Sequence, residues 1–393
     1  MSALRVKVGE LCEQIRGVTY EKQDVSMTLQ PGYLPVLRAN NITNDGLIFD
    51  DLVFVPVERV AEKQRIRRHD VVVAASSGSI DVVGKAAPAL TDFAGTFGAF
   101  CKVLRPNAKV HPGYFAHFFK TRHYRQRVSA LAAGANINNL RNEHLDEMEI
   151  PLPPLAEQRR TVELLDRAEA LRVKRRVALA QLDVLTQSLF YDLFGDTAQN
   201  DRNWPTARMG DLMQIRRGGS PRPIEKYLGG DINWIKIGDG TRGSDIYLES
   251  SVDKITRDGL NKTVFLKKGS LIFANCGVSL GFARILKIDG CIHDGWLSFE
   301  DIPEGKLDKL FLLKALNAVT EYFRATAPAG TQPNLNTGLM KNFRIILPPI
   351  NLQLEFARRV VAVEKLKEAH RASLAEMDAL FATLQHRAFQ GEL

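Results

Sequence analysis

Two long stretches of the chain space their apolar residues as one face of an α-helix does, in steps of three, four and seven or eight. Residues 155–194 and 350–390 contain no glycine or proline and consist mostly of good helix formers. Prolines precede each stretch, and Gly195 is placed to end the first. The pattern predicts two helices of about 40 residues, each about 60 Å long. The apolar positions are Leu165, Ala168, Leu171, Leu179, Leu182, Leu185, Leu189 and Leu193, then Val360, Val363, Leu366, Leu374, Met377, Phe381, Leu384 and Ala388.

A helix of this length is too long to bury its apolar face against one domain of about 150 residues. Its natural partner is the other long helix, which has the same period and the same length. We therefore expect an antiparallel, coiled-coil pair; the alternative is two ordinary amphipathic helices packed on separate domains. Arg175 and His370 interrupt the two apolar faces, where they either fix the register or reach solvent.

The rest of the chain consists of two regions in which short apolar runs come first and helical patterns follow. This order is typical of α/β (α+β) domains. The predicted strands are 34–37, 52–57, 70–74 and 100–104 in the first region, with a helix over 112–131, and 232–237, 271–274 and 283–288 in the second, with a helix over 308–325.

The chain also repeats itself. Residues 152–158 (LPPLAEQ) recur 195 residues later as residues 347–353 (LPPINLQ), and each copy opens one of the predicted long helices. Ordered matches of this kind predict a half-chain duplication. Two further pairs are 139–140 with 334–335, at the same offset, and 8–11 with 209–212, at an offset of 201.

The repeat divides the chain into two large domains and two spacer helices. Their predicted bounds are 1–151 for the first domain, 152–196 for the central spacer helix, 197–346 for the second domain and 347–393 for the C-terminal spacer helix. The net charge of +8 lies entirely in the domains, +3 in the first and +5 in the second, since both helical segments are neutral. If the protein binds a polyanion, we expect the two domains to bind it.

Composition excludes several classes of protein. Among the 393 residues, 45% are hydrophobic and 25% are charged, which is ordinary for a globular protein and excludes a disordered chain. No apolar run approaches the roughly 18 residues of a membrane span, so we expect no membrane association. The four cysteines form no CxxC pair, which suits reduced thiols in the cytoplasm.

Catalytic signatures are missing from the sequence. There is no HExxH, no GxSxG and no cluster of cysteine and histidine with metal-ligand spacing. Residues 152–155 (LPPL) share two prolines with an amino-methyltransferase motif, but they lack its leading Asp or Asn and its aromatic residue. We therefore expect a non-catalytic protein. The alternatives are a DNA methyltransferase-like enzyme with an unusual motif, and a coiled-coil scaffold without a DNA role.

Taken in order, the motifs resemble those of the specificity (S) subunit of type I restriction-modification enzymes, over nearly the full chain. Each motif alone has little specificity for the family. The resemblance lies in the order of the motifs, which is duplicated around two long helices. The first domain carries 35–42 (PVLRANNI), 98–100 (GAF), 134–140 (GANINNL) and 150–160 (IPLPPLAEQRR), and the second part of the chain carries 218–221 (GGSP), 232–235 (INWI), 294–297 (DGWL) and 389–393 (FQGEL).

The resemblance implies two target recognition domains, each reading one half of a split site in double-stranded DNA. It also implies that the helices separate these domains and dock methyltransferase (M) subunits, two of them, with a motor-nuclease restriction (R) subunit joining for cleavage. S-adenosylmethionine, Mg and ATP would then belong to the partner subunits, and this chain would need no cofactor. Because the two domains differ in sequence, the full site is expected to be asymmetric.

Candidate DNA contacts are polar and cationic side chains of the two domains, since Lys and Arg contact phosphates while Arg and Asn also pair with base edges. Residues 218–222 form the sharpest group, because a glycine-rich loop flanked by arginines lets backbone approach a phosphate. The candidates are Arg38, Asn40, Asn41, Arg65, Arg67, Arg68 and Lys85 in the first domain, and Arg216, Arg217, Ser220, Arg222, Lys236, Arg242, Lys267, Lys268 and Asn275 in the second.

Overall fold

The computed structural model describes residues 4–79, 81–133, 139–277, 279–326 and 334–392. The chain forms two compact units: unit 1 comprises Met1–Val177 and Arg371–Leu393, and unit 2 comprises Ala178–His370. The boundary between them falls inside both long helices, so each helix contributes one part to each unit. Residues 134–138 of the repeated motif lie outside the described residues.

Unit 1 combines short strands with short helices, as the early strands and late helices of the sequence predict. Its sheets have the strand orders β2-β8-β5-β6, β4-β3-β7 and β1-β9, where the elements are β1 Arg5–Lys7, β2 Cys12–Arg16, β3 Tyr33–Leu37, β4 Val53–Pro56, β5 Val71–Ala74, β6 Ala86–Pro88, β7 Thr96–Phe97, β8 Cys101–Pro106, α1 Pro112–Phe118, α2 Arg122–Ala133, α3 Asn142–Asp146 and β9 Glu149–Pro151.

Unit 2 repeats this plan with two added strands, β13 and β15. Its sheets have the orders β11-β19-β16-β17-β13, β14-β12-β18-β15 and β10-β20, where the elements are β10 Thr206–Arg208, α5 Met209–Leu212, β11 Gln214–Arg217, β12 Leu228–Ile235, α6 Ile237–Gly240, β13 Tyr247–Leu248, β14 Asp253–Ile255, β15 Val264–Leu266, β16 Leu271–Ala274, β17 Ala283–Leu286, β18 Gly290–Ile292, β19 Trp296–Glu300, α7 Lys309–Ala318, α8 Thr320–Thr326, α9 Thr337–Asn342 and β20 Arg344–Ile346.

The strand registers show which positions of the two units are equivalent. Arg16 at the end of β2 pairs with Lys102, and Arg217 at the end of β11 pairs with Leu297. The central strands β5 and β16 are buried at every position, which is why both read as unbroken apolar runs. The mixed α/β architecture and its internal repeat are confirmed.

The helix predicted over 112–131 is in fact two helices. Helix α1 ends at Phe118 and α2 begins at Arg122. Between them the Thr121 hydroxyl accepts a hydrogen bond from the Tyr124 backbone N–H at 3.1 Å, which caps the second helix. The helix predicted over 308–325 divides in the same way at Val319, so helical periodicity alone did not reveal either break.

The two long helices are confirmed, as α4 over Leu155–Phe194 and α10 over Ile350–Ala388. In unit 1 their segments run antiparallel. Arg172 Nε of α4 contacts Asp378 Oδ1 of α10 at 2.6 Å. His117 contacts both Asp166, which precedes Arg172 in α4, and Gln385, which follows Asp378 in α10. In unit 2 they are again antiparallel, since Asp183 faces Lys367 and Phe194 contacts Phe356.

Each unit holds a cluster of charges between its helix segments, which is partly buried in unit 1 and includes the buried Lys367 and Glu364 in unit 2. In unit 1, Arg172 pairs with Glu169 and Asp378, and its guanidinium lies 4.4 Å from the centre of the Phe381 ring. Arg175 was the polar residue that the sequence pattern singled out, but Arg172, three residues earlier, makes these contacts.

The cluster of unit 2 occupies equivalent positions, 195 residues away for every member. Lys367 is 1% exposed and contacts Asp183 at 2.6 Å and Glu364 at 2.7 Å. Burial opposes the charge of Lys367, but its hydrogen bonds to the two carboxylates outweigh burial and raise its pKa above the ordinary value.

Each unit also buries the end of one long helix in its core. Phe389, just past α10, packs against Tyr114 of unit 1 at 4.8 Å between ring centres. The equivalent Phe194 at the end of α4 packs against Phe311 of unit 2 at 4.7 Å. Each core therefore contains the start of one long helix and the end of the other.

Candidate DNA interface

The glycine-rich loop of unit 2 is held against a second loop that follows β18. Arg217 donates from Nε to the Asp294 carbonyl at 2.8 Å, and the Ser220 hydroxyl donates to Asp294 Oδ1 at 2.8 Å. Gly218 lies so close that an added Cβ would stand 2.3 Å from the His293 carbonyl oxygen. The glycine is therefore needed for this close approach, and the loop is anchored at Asp294.

Cations converge on His293 in this loop. Burial lowers the pKa of His293 below its ordinary value of 6.5. The positive charges of Lys236, Arg222 and Arg217 lower the pKa of His293 further, against the opposing effect of Asp294. The structure thus brings four of the predicted residues, Arg217, Ser220, Arg222 and Lys236, around one short loop.

Lys236 is placed at the end of β12, directly before α6. Its backbone N–H donates to Asp239 Oδ2 at 2.8 Å, and its Nζ contacts Asp253 at 2.6 Å. The same ammonium lies 4.7 Å from the ring centre of Trp234, a residue that is nearly buried. The side chain therefore has two fixed contacts although it stays partly exposed.

Arg38 is the equivalent cation of unit 1. Its backbone N–H donates to Asn41 Oδ1 at 2.9 Å, and its guanidinium contacts Asp51 at 2.8 Å. The loop after β7 lies beside Arg38, because Gly98 N–H donates to the Leu37 carbonyl at 2.9 Å. In the same way His293 N–H donates to the Ile235 carbonyl at 3.0 Å, directly before Lys236. Asn40, also predicted, donates to Asp51 at 3.2 Å. Arg38 and Asn40 are thus together.

Two basic turns are also equivalent. In unit 1 the Arg68 backbone N–H donates to Asp92 Oδ1 at 2.9 Å, and Arg67 precedes it. In unit 2 the Lys268 N–H donates to Asp289 Oδ1 at 2.8 Å, and Lys267 precedes it. Each turn presents two neighbouring exposed cations on a backbone that an aspartate fixes.

The contacts of the second turn lower the pKa of its aspartate, Asp289. The hydrogen bond from the Lys268 backbone holds the pKa of Asp289 below its usual value of 3.8, and the hydrogen bond from the Lys267 side chain adds to this. Asp289 therefore stays ionised and keeps the turn in place at neutral pH.

Four predicted cations lie apart from these groups. They pair with or stand near acidic residues of their own surroundings: Arg65 with Glu62 at 3.0 Å, Arg216 with Glu300 at 3.3 Å, Lys85 in a cavity of about 410 Å³ lined also by Asp81, and Arg242 in a cavity of about 160 Å³ lined also by Asp239 and Glu249.

Two predicted asparagines are fully buried. Asn41 donates to the Asp50 carbonyl at 2.8 Å, and Asn275 donates to the Leu335 carbonyl at 3.2 Å. Their amides hold loops together in the present structure. Base contact by either side chain would require these bonds to break, so neither belongs to the exposed contact set.

Residues that charge and amide content did not single out also lie at these loops. The position of Arg16 is equivalent to that of Arg217, and Phe100, Trp234, His293 and Asp294 sit on or beside the same loops. A signal was present for Phe100, Trp234 and Asp294, because the motifs at 98–100, 232–235 and 294–297 contain these three residues. The predicted contacts are Lys, Arg, Asn and Ser residues, a set that excludes Phe100, Trp234, His293 and Asp294, and Arg16 lies outside the motifs.

Within the described residues, no group of three or more His, Cys, Asp or Glu side chains is arranged to hold a metal ion. In that same part of the chain, no helix combines the length and the apolar character that a membrane span requires.

The chain is similar to known proteins over most of its length. Residues 5–177 and 201–377 each match the family described as type I restriction modification DNA specificity domain. The type I restriction enzyme EcoKI specificity subunit of Escherichia coli (strain K12) is 32% identical over 410 residues, covering 96% of this chain and 86% of the relative. The StySPI specificity subunit of Salmonella potsdam is 31% identical over 402 residues, with the same coverage, 96% and 86%.

Solved structures support the same fold. A chain solved in a study of the complex assembly and conformational transition of a type I R-M system aligns with a TM-score of 0.60 at 18% identity, covering 100% of this chain and 98% of the other. The S subunit of a type I restriction-modification system from M. genitalium aligns with a TM-score of 0.53 at 16% identity, covering 98% and 96%. With its duplicated sequence and two equivalent basic units, this chain belongs to the type I restriction-modification specificity family, the DNA-recognition subunits of these systems.

Proposed function

We propose that the two units read two different half-sites of one split DNA sequence. The observation that carries this proposal is the equivalence of Arg38 with Lys236 and of the two basic turns. The backbone setting of each pair is the same, but the side chains around it differ. A duplicated frame with different reading residues would recognise an asymmetric site, with half-site centres about one helical turn, 34 Å, apart.

The basic residues fall into two groups by position. The exposed turns, Arg67 with Arg68 and Lys267 with Lys268, suit phosphate contacts, since each presents two neighbouring positive charges at the surface. Arg217 and Lys236 in unit 2, and Arg38 with Asn40 in unit 1, are held by hydrogen bonds or ion pairs and suit base edges, where a fixed geometry is required. Arg222, which is exposed on the glycine-rich loop, would join the contacts of unit 2. Arg65, Lys85, Arg216 and Arg242 would add to the general positive field.

We also propose that the long helices dock two methyltransferase subunits. Leu171 and Leu380 in unit 1, and Leu366 and Leu185 in unit 2, are each about half exposed. They occupy equivalent positions, 195 residues apart, on the two helices. Each leucine directly precedes a buried or half-buried residue of the helix pair, so it lies beside the seam and not in it. An exposed apolar surface that occurs twice would accept a partner twice.

The chain is proposed to have no catalytic role of its own. The relatives are named as specificity subunits. S-adenosylmethionine, Mg and ATP would be bound by the methyltransferase and restriction subunits, and the complex would act on DNA in the cytoplasm. The first alternative, a DNA methyltransferase-like enzyme, would methylate DNA without a partner. The second alternative, a coiled-coil scaffold without a DNA role, would not bind DNA.

The test compares the chain alone with the chain in its methyltransferase complex. Each is incubated with genomic DNA and S-adenosylmethionine, and methylated adenines are located by sequencing. We expect no methylation by the chain alone and methylation of one split site by the complex. Methylation by the chain alone would overturn the proposal, and so would a complex whose methylation shows no sequence preference.

A further inference from the structure

Phe100 is a large apolar side chain held in an exposed position in unit 1. It is 70% exposed, whereas its neighbours Phe97 and Cys101 are fully buried. Its backbone is fixed, because the Phe100 carbonyl accepts hydrogen bonds from Ala75 N–H at 2.8 Å and Ser76 N–H at 3.0 Å. A solvent-exposed ring on a fixed backbone is costly in the free protein and is typical of a contact residue.

The loop that carries Phe100 lies beside Arg38. Gly98, two residues earlier, donates its N–H to the Leu37 carbonyl at 2.9 Å, and Arg38 follows Leu37 directly. In unit 2 the equivalent loop is the one whose Asp294 anchors Arg217 and Ser220. The ring is therefore presented within the group of residues for which DNA contact is proposed.

The two units differ at this position. Asn275 N–H donates to the Gly295 carbonyl at 3.0 Å, just as Ala75 N–H donates to Phe100, so Gly295 is the equivalent of Phe100. Gly295 has no side chain, and an added Cβ would stand 2.7 Å from Ile237 Cδ1, so a larger residue there would require the Ile237 side chain to move. At this loop position, unit 1 therefore has an exposed aromatic ring and unit 2 has none.

We propose that Phe100 contacts a base of the half-site read by unit 1, and so helps to determine that half-site alone. The inference rests on the proposed function. An aromatic ring makes apolar contact with a base, such as the methyl group of thymine, and adds no charge that would attract phosphate. Its contribution should therefore appear in specificity and be absent from general affinity.

The experiment uses the full chain in its methyltransferase complex, with Phe100→Ala, Phe100→Tyr and, as the matched control, Leu4→Ala. Leu4 is similarly exposed, at 73%, and lies next to β1 in the same unit. We expect Phe100→Ala to weaken binding to the cognate duplex about tenfold, in the range of one base contact. Binding to unrelated DNA, the salt dependence and the unfolding temperature should stay unchanged. Phe100→Tyr should retain most of the affinity, and Leu4→Ala should lose none.

Sequencing of the methylated sites gives the decisive reading. Phe100→Ala should relax the base preference in one half-site and leave the other intact. An equal loss of affinity for cognate and unrelated DNA, relaxation of both half-sites, or no change at all would overturn the inference. If the unmodified complex itself shows no sequence preference, the proposed function is wrong. If the unmodified complex is specific and Phe100→Ala leaves that specificity unchanged, only the role of Phe100 is wrong.

Discussion

Gln158 and Gln353 make the same hydrogen bonds at the starts of the two long helices. Gln158 Oε1 accepts from His111 N–H at 2.8 Å while its Nε2 donates to the Pro153 carbonyl at 2.7 Å. Gln353 Oε1 accepts from Asp308 N–H at 2.9 Å while its Nε2 donates to the Pro348 carbonyl at 2.7 Å. In each unit, one buried glutamine therefore ties the first turn of a long helix to the N-terminal end of a domain helix.

Removing either glutamine side chain should destabilise its unit. Gln158→Ala or Gln353→Ala leaves buried backbone groups without partners, at a cost of about 1–3 kcal/mol. Gln126→Ala, at an exposed position of α2, is the control and should change little. Thermal unfolding of the three variants checks this, and equal midpoints for all three would contradict the anchoring role.

The repeat, the long helices and the α/β domains could be predicted because they depend on local periodicity and on direct sequence matches. The breaks near Thr121 and Val319 could not, because a turn between two helices leaves the apolar pattern almost unchanged. The burial of Asn41 and Asn275 could not either, since an amide suits a loop hydrogen bond as well as a base edge. The equivalence of Arg38 with Lys236 emerged only from strand registers, because the sequences around them differ.

The buried charges of unit 2 should be coupled. Lys367→Met leaves Glu364 buried without its cation, so we expect a loss of about 3 kcal/mol in stability. The double variant Lys367→Met with Glu364→Leu removes both charges and should lose much less, because an apolar pair of similar volume fits a buried site. Urea unfolding of the single and double variants gives the coupling energy. Additive losses would show that the two charges act independently.

Acidification should weaken the contact between α1 and α4 in unit 1. Asp166 Oδ1 lies 2.8 Å from His117 Nε2, and this hydrogen bond holds the pKa of Asp166 below its usual value of 3.8. A carboxyl whose pKa is lowered by folding stabilises the protein above the unfolded pKa and loses that effect as the pH falls through the native pKa. The unmodified protein should therefore lose more stability between about pH 5 and 3 than Asp166→Asn does. Parallel losses, measured by thermal unfolding at each pH, would contradict this.

The basic turns should set the salt dependence of DNA binding. The double variants Arg67→Ala with Arg68→Ala, and Lys267→Ala with Lys268→Ala, each remove two proposed phosphate contacts. Each should reduce the slope of log affinity against log salt by about 2, at roughly 0.9 per contact. Arg358→Ala, an exposed cation of α10, is the control and should leave the slope unchanged. Binding titrations over a series of salt concentrations measure the slopes, and unchanged slopes for both double variants would exclude the turns from the interface.

The central claim is that each unit reads its own half of one DNA site. Residues 197–346 are replaced by the corresponding region of the E. coli EcoKI specificity subunit, and the methylated sites made by the resulting complex are sequenced. One half-site should change to a new sequence while the other keeps its original bases. A site that changes in both halves, or in neither, would contradict the claim.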